Sequence, residues 1–150
     1  MNKEQHSKFL IVGVGNTLRG DDGIGAYVCS EIDKKELQDV KTVVVHQLHL
    51  EMLEEFARFE IIIIADATLE GEDVNFYPVK ASASAGTSSH RADAGVLVSL
   101  AKQLYQKTLT LYICAVKAES FDIGNELTTT AKNNAGKAVG TICNWISQNS

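Results

Sequence analysis

Three side chains in this sequence are of the types that could act together on a metal ion or an activated water: Asp22, Asp66 and His90. Asp22 lies in "GVGNTLRGDDGIG" (residues 13–25), which holds five glycines and two adjacent aspartates just after an apolar run. Asp66 follows four isoleucines and an alanine. An ionised carboxylate is costly there unless it is paired, hydrogen-bonded or bound to metal. His90 stands in "SSHRADAG", between a serine-rich stretch and the next apolar-periodic segment. Two carboxylates and one imidazole suit a first-row transition metal or metal-assisted hydrolysis. His46 and His49 are competing imidazoles, but their spacing at a strand-to-helix turn sends them in different directions.

Plainer roles stay open for each residue. Asp66 could cap a following turn, and a loop histidine such as His90 is commonly solvated and inert. One aspartate of the pair is explained as a helix N-cap, worth on the order of 1 kcal/mol. Asp21 takes that role in this reading, which leaves Asp22 in need of another. The glycines also invite comparison with a dinucleotide-binding loop, which needs G-x-G-x-x-G opening directly into a helix. Here Leu18 occupies the third glycine position, and Asp21 and Asp22 fall where a phosphate would sit. Carboxylates there complement the helix dipole and repel phosphate. The second strand ends in "VVVHQ", without an acidic partner for a ribose, and no Walker lysine follows the glycines. At least one of Gly13, Gly15 and Gly20 is expected to adopt positive φ, turning the chain sharply.

The elements that must position these residues alternate along the chain. "FLIVGVG" reads as a buried strand, and Ile24, Val28 and Ile32 mark a helix over Asp22–Ile32. "KTVVVHQL" is a second strand, Leu50 to Ala57 a short helix, and "EIIIIADA" the third and most apolar strand. "VNFYPV" suits a sheet edge, because Pro78 cannot donate to a central ladder. "KASASAGTSS" is a surface loop. A helix through Leu97, Leu100, Ala101 and Leu104, a strand "TLTLYICAV" and a helix over Ala131–Ile146 complete the chain. This alternation gives an α/β three-layer sandwich: a mostly parallel, twisted sheet of about five strands with helices on both faces. Residues 1–150 read as a single domain. Ligands of such sheets bind beyond the carboxyl ends of the strands. That rule selects Gly15–Asp22, His46–His49, Asp66–Glu70 and Lys117–Asn125.

Composition narrows the partners. The 150 residues are 45% hydrophobic and 22% charged, ordinary for a globular chain, with net charge −5. No Lys/Arg cluster favours nucleic acid or an anionic membrane. The longest apolar run is far too short to span a bilayer. The polar start "MNKEQHSKF" lacks the apolar core of a secretion signal, so a cytoplasmic location is expected. Cys29, Cys114 and Cys143 form no C-x-x-C pair and fall on predicted helices and a core strand, which makes them buried hydrophobes rather than nucleophiles.

Taken in order, "GVGNTLRGDDGIG", "IIIIADA", "SSHRADAGVL" and the late "AESFDIGNELT" resemble the motifs of the hydrogenase maturation proteases. The likeness extends from Phe9 to about Trp145. These endopeptidases trim the C-terminus of a nickel–iron hydrogenase large-subunit precursor. "VVHQLHLEML" looks like the branch that serves cytosolic, multisubunit hydrogenases, while Lys117 and Ala118 replace a proline found in many relatives. The resemblance implies that Asp22, Asp66 and His90 are the functional side chains and that they contact nickel already loaded in the precursor. It implies a hydrogenase large-subunit precursor as the protein partner and nickel supplied by that substrate.

Two other readings stay open beside it. One is a metal-dependent amidohydrolase of a small molecule, the other a nucleotide-binding module. No nucleophile–base pair with a supporting motif suggests a serine or cysteine triad, so amide hydrolysis would use water.

Overall fold

The computed structural model describes residues 7–81 and 90–150, with the side chains of 90–92 excepted. Five strands form one sheet: β1 (Phe9–Val14), β2 (Val40–Val45), β3 (Ile61–Thr68), β4 (Val74–Pro78) and β5 (Thr110–Lys117). Their spatial order is β2-β1-β3-β5-β4. The first four in that order run parallel, and β4 runs antiparallel to β5 at the edge. Pro78 therefore sits at the end of an edge strand, where its missing N–H costs the sheet little.

Alternate residues of the central strands feed two separate cores. Phe9, Ile11 and Ile63 face helices α1 (Ile24–Asp33) and α4 (Thr129–Asn149). Leu10, Val12, Ile62 and Ile64 face α2 (Leu53–Phe56) and α3 (His90–Tyr105). Both faces of β1 and β3 are thus covered, which is why these strands read as unbroken apolar runs. At roughly 1.5–3 kcal/mol for each large side chain removed from water, the two layers of Ile, Leu and Phe supply most of the drive to fold.

The sequence boundaries shift at several ends. A 3-10 turn over Gly20–Gly23 precedes α1, so the helix starts later than Asp22. β2 stops at Val45, and α4 runs from Thr129 to Asn149, longer at both ends than apolar spacing indicates. β3 runs past Asp66 to Thr68, because β5 pairs with it as far as Thr68–Lys117. β1, by contrast, stays with β3 only to the Gly13–Ala65 pair.

β1 and the turn that follows it pack tightly against α1. A Cβ on Gly13 would collide with the carbonyl oxygen of Gly25. One on Gly25 would lie 2.6 Å from Val14 N and 2.7 Å from Ala65 O. These glycines let the first turn of α1 rest directly on the backbones of β1 and β3.

Candidate active site

Chain order β1, β2, then β3 on the other side of β1 makes the β1/β3 junction the point where the outgoing loops diverge. A crevice at such a switch point is where open α/β sheets bind ligands. Asp22 and Asp66 both lie at it. Asp66 is the residue of β3 just beyond the last one paired with β1, and it pairs on its other side with Ala115. By alternation with Ile62 and Ile64 it projects on the α3 side of the sheet. Asp22 sits in the 3-10 turn, which packs against β3.

Gly15 makes this arrangement possible. Its φ of 143° lies in a region that suits glycine, and a Cβ there would strike the Asp22 carbonyl oxygen. Gly20 also has positive φ, at 56°. The chain therefore folds back so that Asp22 Oδ2 accepts the Asn16 N–H at 2.8 Å. The second oxygen, Oδ1, takes no partner among the described residues. Asp66 Oδ1 accepts the N–H of its neighbour Ala67 at 2.9 Å. Both carboxylates are half-buried.

Asp21 does not cap α1. Among the described residues no side chain caps the 3-10 turn or α1, and the Asp21 carboxylate points away into the protein, where it is fully buried. It accepts four hydrogen bonds from the segment after β5. The donors are Glu119 N at 2.8 Å, Ser120 N at 3.1 Å, and Thr128 N and Oγ1 each at 2.8 Å. Burial alone would raise its pKa; the hydrogen bonds from Thr128, Glu119 and Ser120 outweigh that and hold it below the ordinary carboxylate value. Its partners lie about a hundred positions along the chain, which is why no local pattern reveals them.

His90 is the first residue of α3, the helix that packs on the same sheet face as Asp66. Its side chain, and with it the three-residue convergence, lies outside the described residues, as does most of the serine-rich loop. Among the described residues no three His, Cys, Asp or Glu side chains gather closely enough to hold a metal. His46 is exposed just past β2. His49 lines an apolar groove of about 440 Å³ with Leu48, Leu50, Val96 and Leu100, on the α3 side of the sheet.

The cysteines behave as buried hydrophobes. Burial pushes the thiols of Cys29 and Cys114 up to about 12, far from the thiolate a nucleophile requires. Cys143 is partly exposed and its thiol is also raised by burial.

Neither a family model nor a curated protein sequence matches this chain. Solved structures do. The hydrogenase maturating endopeptidase HybD from E. coli superposes with a TM-score of 0.75 at 18% identity, covering 95% of this chain and 94% of its own. The [NiFe] hydrogenase maturation protease HybD from Thermococcus kodakarensis gives 0.69 at 22% identity, over 92% and 98% of the two chains. HycI, a [NiFe] hydrogenase maturation protease from Thermococcus kodakarensis KOD1, gives 0.67 at 23%, over 91% and 90%. With its five strands in one largely parallel sheet and its helices on both faces, the chain has, over more than nine-tenths of its length, the fold of these hydrogenase maturation endopeptidases.

Proposed function

We propose that this protein is an endopeptidase that removes the C-terminal extension of a nickel-loaded hydrogenase large-subunit precursor. One observation carries the reading: a fold shared along almost the whole chain with hydrogenase maturation endopeptidases, with Asp22 and Asp66 at its switch point. The position of Asp22 and Asp66 where such sheets bind ligands supports this reading.

In this reading nickel is part of the substrate and enters with the precursor. Asp22, Asp66 and His90 contact it, and the precursor supplies the remaining ligands. Two carboxylates and an imidazole make a modest site for a first-row metal, and further imidazoles or thiolates would be needed for tight retention. The metal then marks the precursor as ready, and selectivity is the difference in affinity between loaded and empty forms. Such processing is cytoplasmic, as the sequence suggests. No helix among the described residues is long and apolar enough to cross a membrane.

The test is cleavage of one hydrogenase large-subunit precursor in nickel-loaded and metal-free forms, read by its mass before and after. The loaded form should be shortened and the empty form left intact. His90→Ala should impair cleavage without unfolding the protein. Equal rates on the two forms would overturn the role of nickel, and no cleavage of either would overturn the activity.

A further inference from the structure

The segment that Asp21 holds has a free edge. Residues 119–128 leave β5 and return to α4, and the buried Asp21 carboxylate fastens both ends through Glu119, Ser120 and Thr128. Asp21 N–H also donates to Ser120 O at 2.9 Å. Between these anchors the segment runs beside the glycine loop as an isolated parallel bridge, Arg19 against Gly124. Gly124 N–H donates to Leu18 O at 2.9 Å, and Gly20 N–H donates to Gly124 O at 2.7 Å. Both backbone groups of Gly124 therefore face inward. Alternation along an extended segment turns those of Ile123 and Asn125 outward. Neither residue makes a backbone hydrogen bond among the described residues.

The same ledge carries two misplaced apolar side chains. Ile123 is 94% exposed and Leu18 66% exposed, on neighbouring strands of the bridge. A single exposed leucine needs no explanation, but here two large apolar residues border unpaired backbone on a loop pinned by four hydrogen bonds. A cleft of about 380 Å³ runs along it, lined by Gly20, Ser120, Asp122, Asn125 and Thr128. The Asp22 N–H donates to Arg19 O at 3.0 Å, so the turn that carries Asp22 is hydrogen-bonded to the residue that bridges to Gly124.

We infer that the backbone of Ile123–Asn125 is a docking edge on which an extended segment of the protein substrate lies as an added strand. This inference rests on the endopeptidase reading and locates the substrate chain within it. Main-chain hydrogen bonds to Ile123 and Asn125 supply affinity and register, while Ile123 and Leu18 contact alternate substrate side chains. An edge of one bridge is too short to hold a folded partner, whereas an extended peptide needs only a few such bonds. A ledge that is fixed before binding spares the cost of ordering it.

The experiment uses the full-length protein and a nickel-loaded large-subunit precursor. Asn125→Pro removes one outward N–H and should raise KM about tenfold relative to Asn125→Ala, which keeps it, the loss falling on KM rather than kcat. Because proline also restricts the loop's own backbone, a second measurement leaves the ledge unaltered. Residue-resolved amide exchange of the Asp22→Asn protein is followed with and without the uncleaved precursor. Exchange at Ile123 and Asn125 should slow by about tenfold or more when the precursor binds. Cleavage by the unaltered protein with no change at these two amides would overturn the docking edge and leave the endopeptidase reading standing. Absence of both cleavage and binding would overturn the endopeptidase reading, and the docking edge with it. Protection that grows with protein concentration alone would assign the edge to a second copy of this chain and overturn the proposal.

Discussion

The Asp21 carboxylate accepts the Thr128 main-chain N–H on one oxygen and the Thr128 hydroxyl on the other, both at 2.8 Å. That hydroxyl in turn accepts the Ala131 N–H at 3.1 Å, so it caps α4 while donating to Asp21. The glycine loop and the start of α4 are thereby one hydrogen-bonded unit. Asp22, the next residue along, inherits its position from this unit.

Asp21→Ala should destabilise the protein strongly, since three backbone N–H groups and one hydroxyl lose their acceptor together. Leaving such groups without partners costs about 1–3 kcal/mol each where water cannot replace the acceptor, and the net loss here should reach about 2–4 kcal/mol. Thermal unfolding should show a fall in Tm of roughly 5–15 °C. A drop of less than a degree would mean that water substitutes freely for the carboxylate.

Acid should reproduce part of that loss. The folded pKa of Asp21 lies below its unfolded value of 3.8, so the folded state favours the ionised carboxylate. Its contribution is complete above the unfolded value and fades as pH falls through the folded one. Denaturant titrations below about pH 4 should therefore show a steeper decline for the unaltered protein than for Asp21→Asn. Parallel declines would remove Asp21 from the acid limb.

Much of this architecture is legible in the sequence, and the reasons are local. Four isoleucines ending in Asp66 announce a buried strand with a carboxylate at its rim, and Pro78 announces an edge. Positive φ at Gly15 and Gly20 follows from a turn that side chains would block. The role of Asp21 is not legible in the sequence, because its partners, Glu119 to Thr128, are distant along the chain and are mostly backbone groups with no residue-type signature. The order β2-β1-β3-β5-β4 was equally hidden: alternation of strand and helix fixes a parallel sheet but not which strands are neighbours.

Gly25→Ala should lower Tm and slow precursor cleavage together. Its Cβ would lie 2.6–2.9 Å from Val14 N, Ala65 O and Val14 O, all backbone atoms that cannot rotate away. Relief requires α1 to lift from the sheet, at a cost of about 1–3 kcal/mol, and the lift carries Asp22 away from Asp66. Gly136→Ala is the matched contrast, with open space around it on α4. It should raise stability by about 0.5–1 kcal/mol. A Gly25→Ala protein as stable as the unaltered one would show that this contact is not tight.

Asp22→Asn and Asp66→Asn should each cut precursor cleavage by about a hundredfold or more, the scale set by removing a group that acts on the reacting centre. Both side chains are half-buried, and Asn can still accept the Asn16 or Ala67 N–H, so Tm should stay close to that of the unaltered protein. Mass spectrometry of the precursor and thermal unfolding, run on the same samples, separate lost chemistry from lost structure. Cleavage within a few-fold of normal for either variant would remove that residue from the site.

Because β1 and β3 are apolar on both faces, polarity offers little resistance to one strand slipping past another. Size provides the resistance instead. Only Gly13 can lie beneath Gly25, and sliding β1 by one residue would force Val12 or Val14 into a space with no room for a methyl group. The same slip relative to β3 would displace Asp22 from Asp66 by about 3.3 Å along the strands, more than a hydrogen bond or a shared ligand tolerates. The pair of bare backbones thus works as a ruler, measuring where one carboxylate stands against the other by the absence of two side chains.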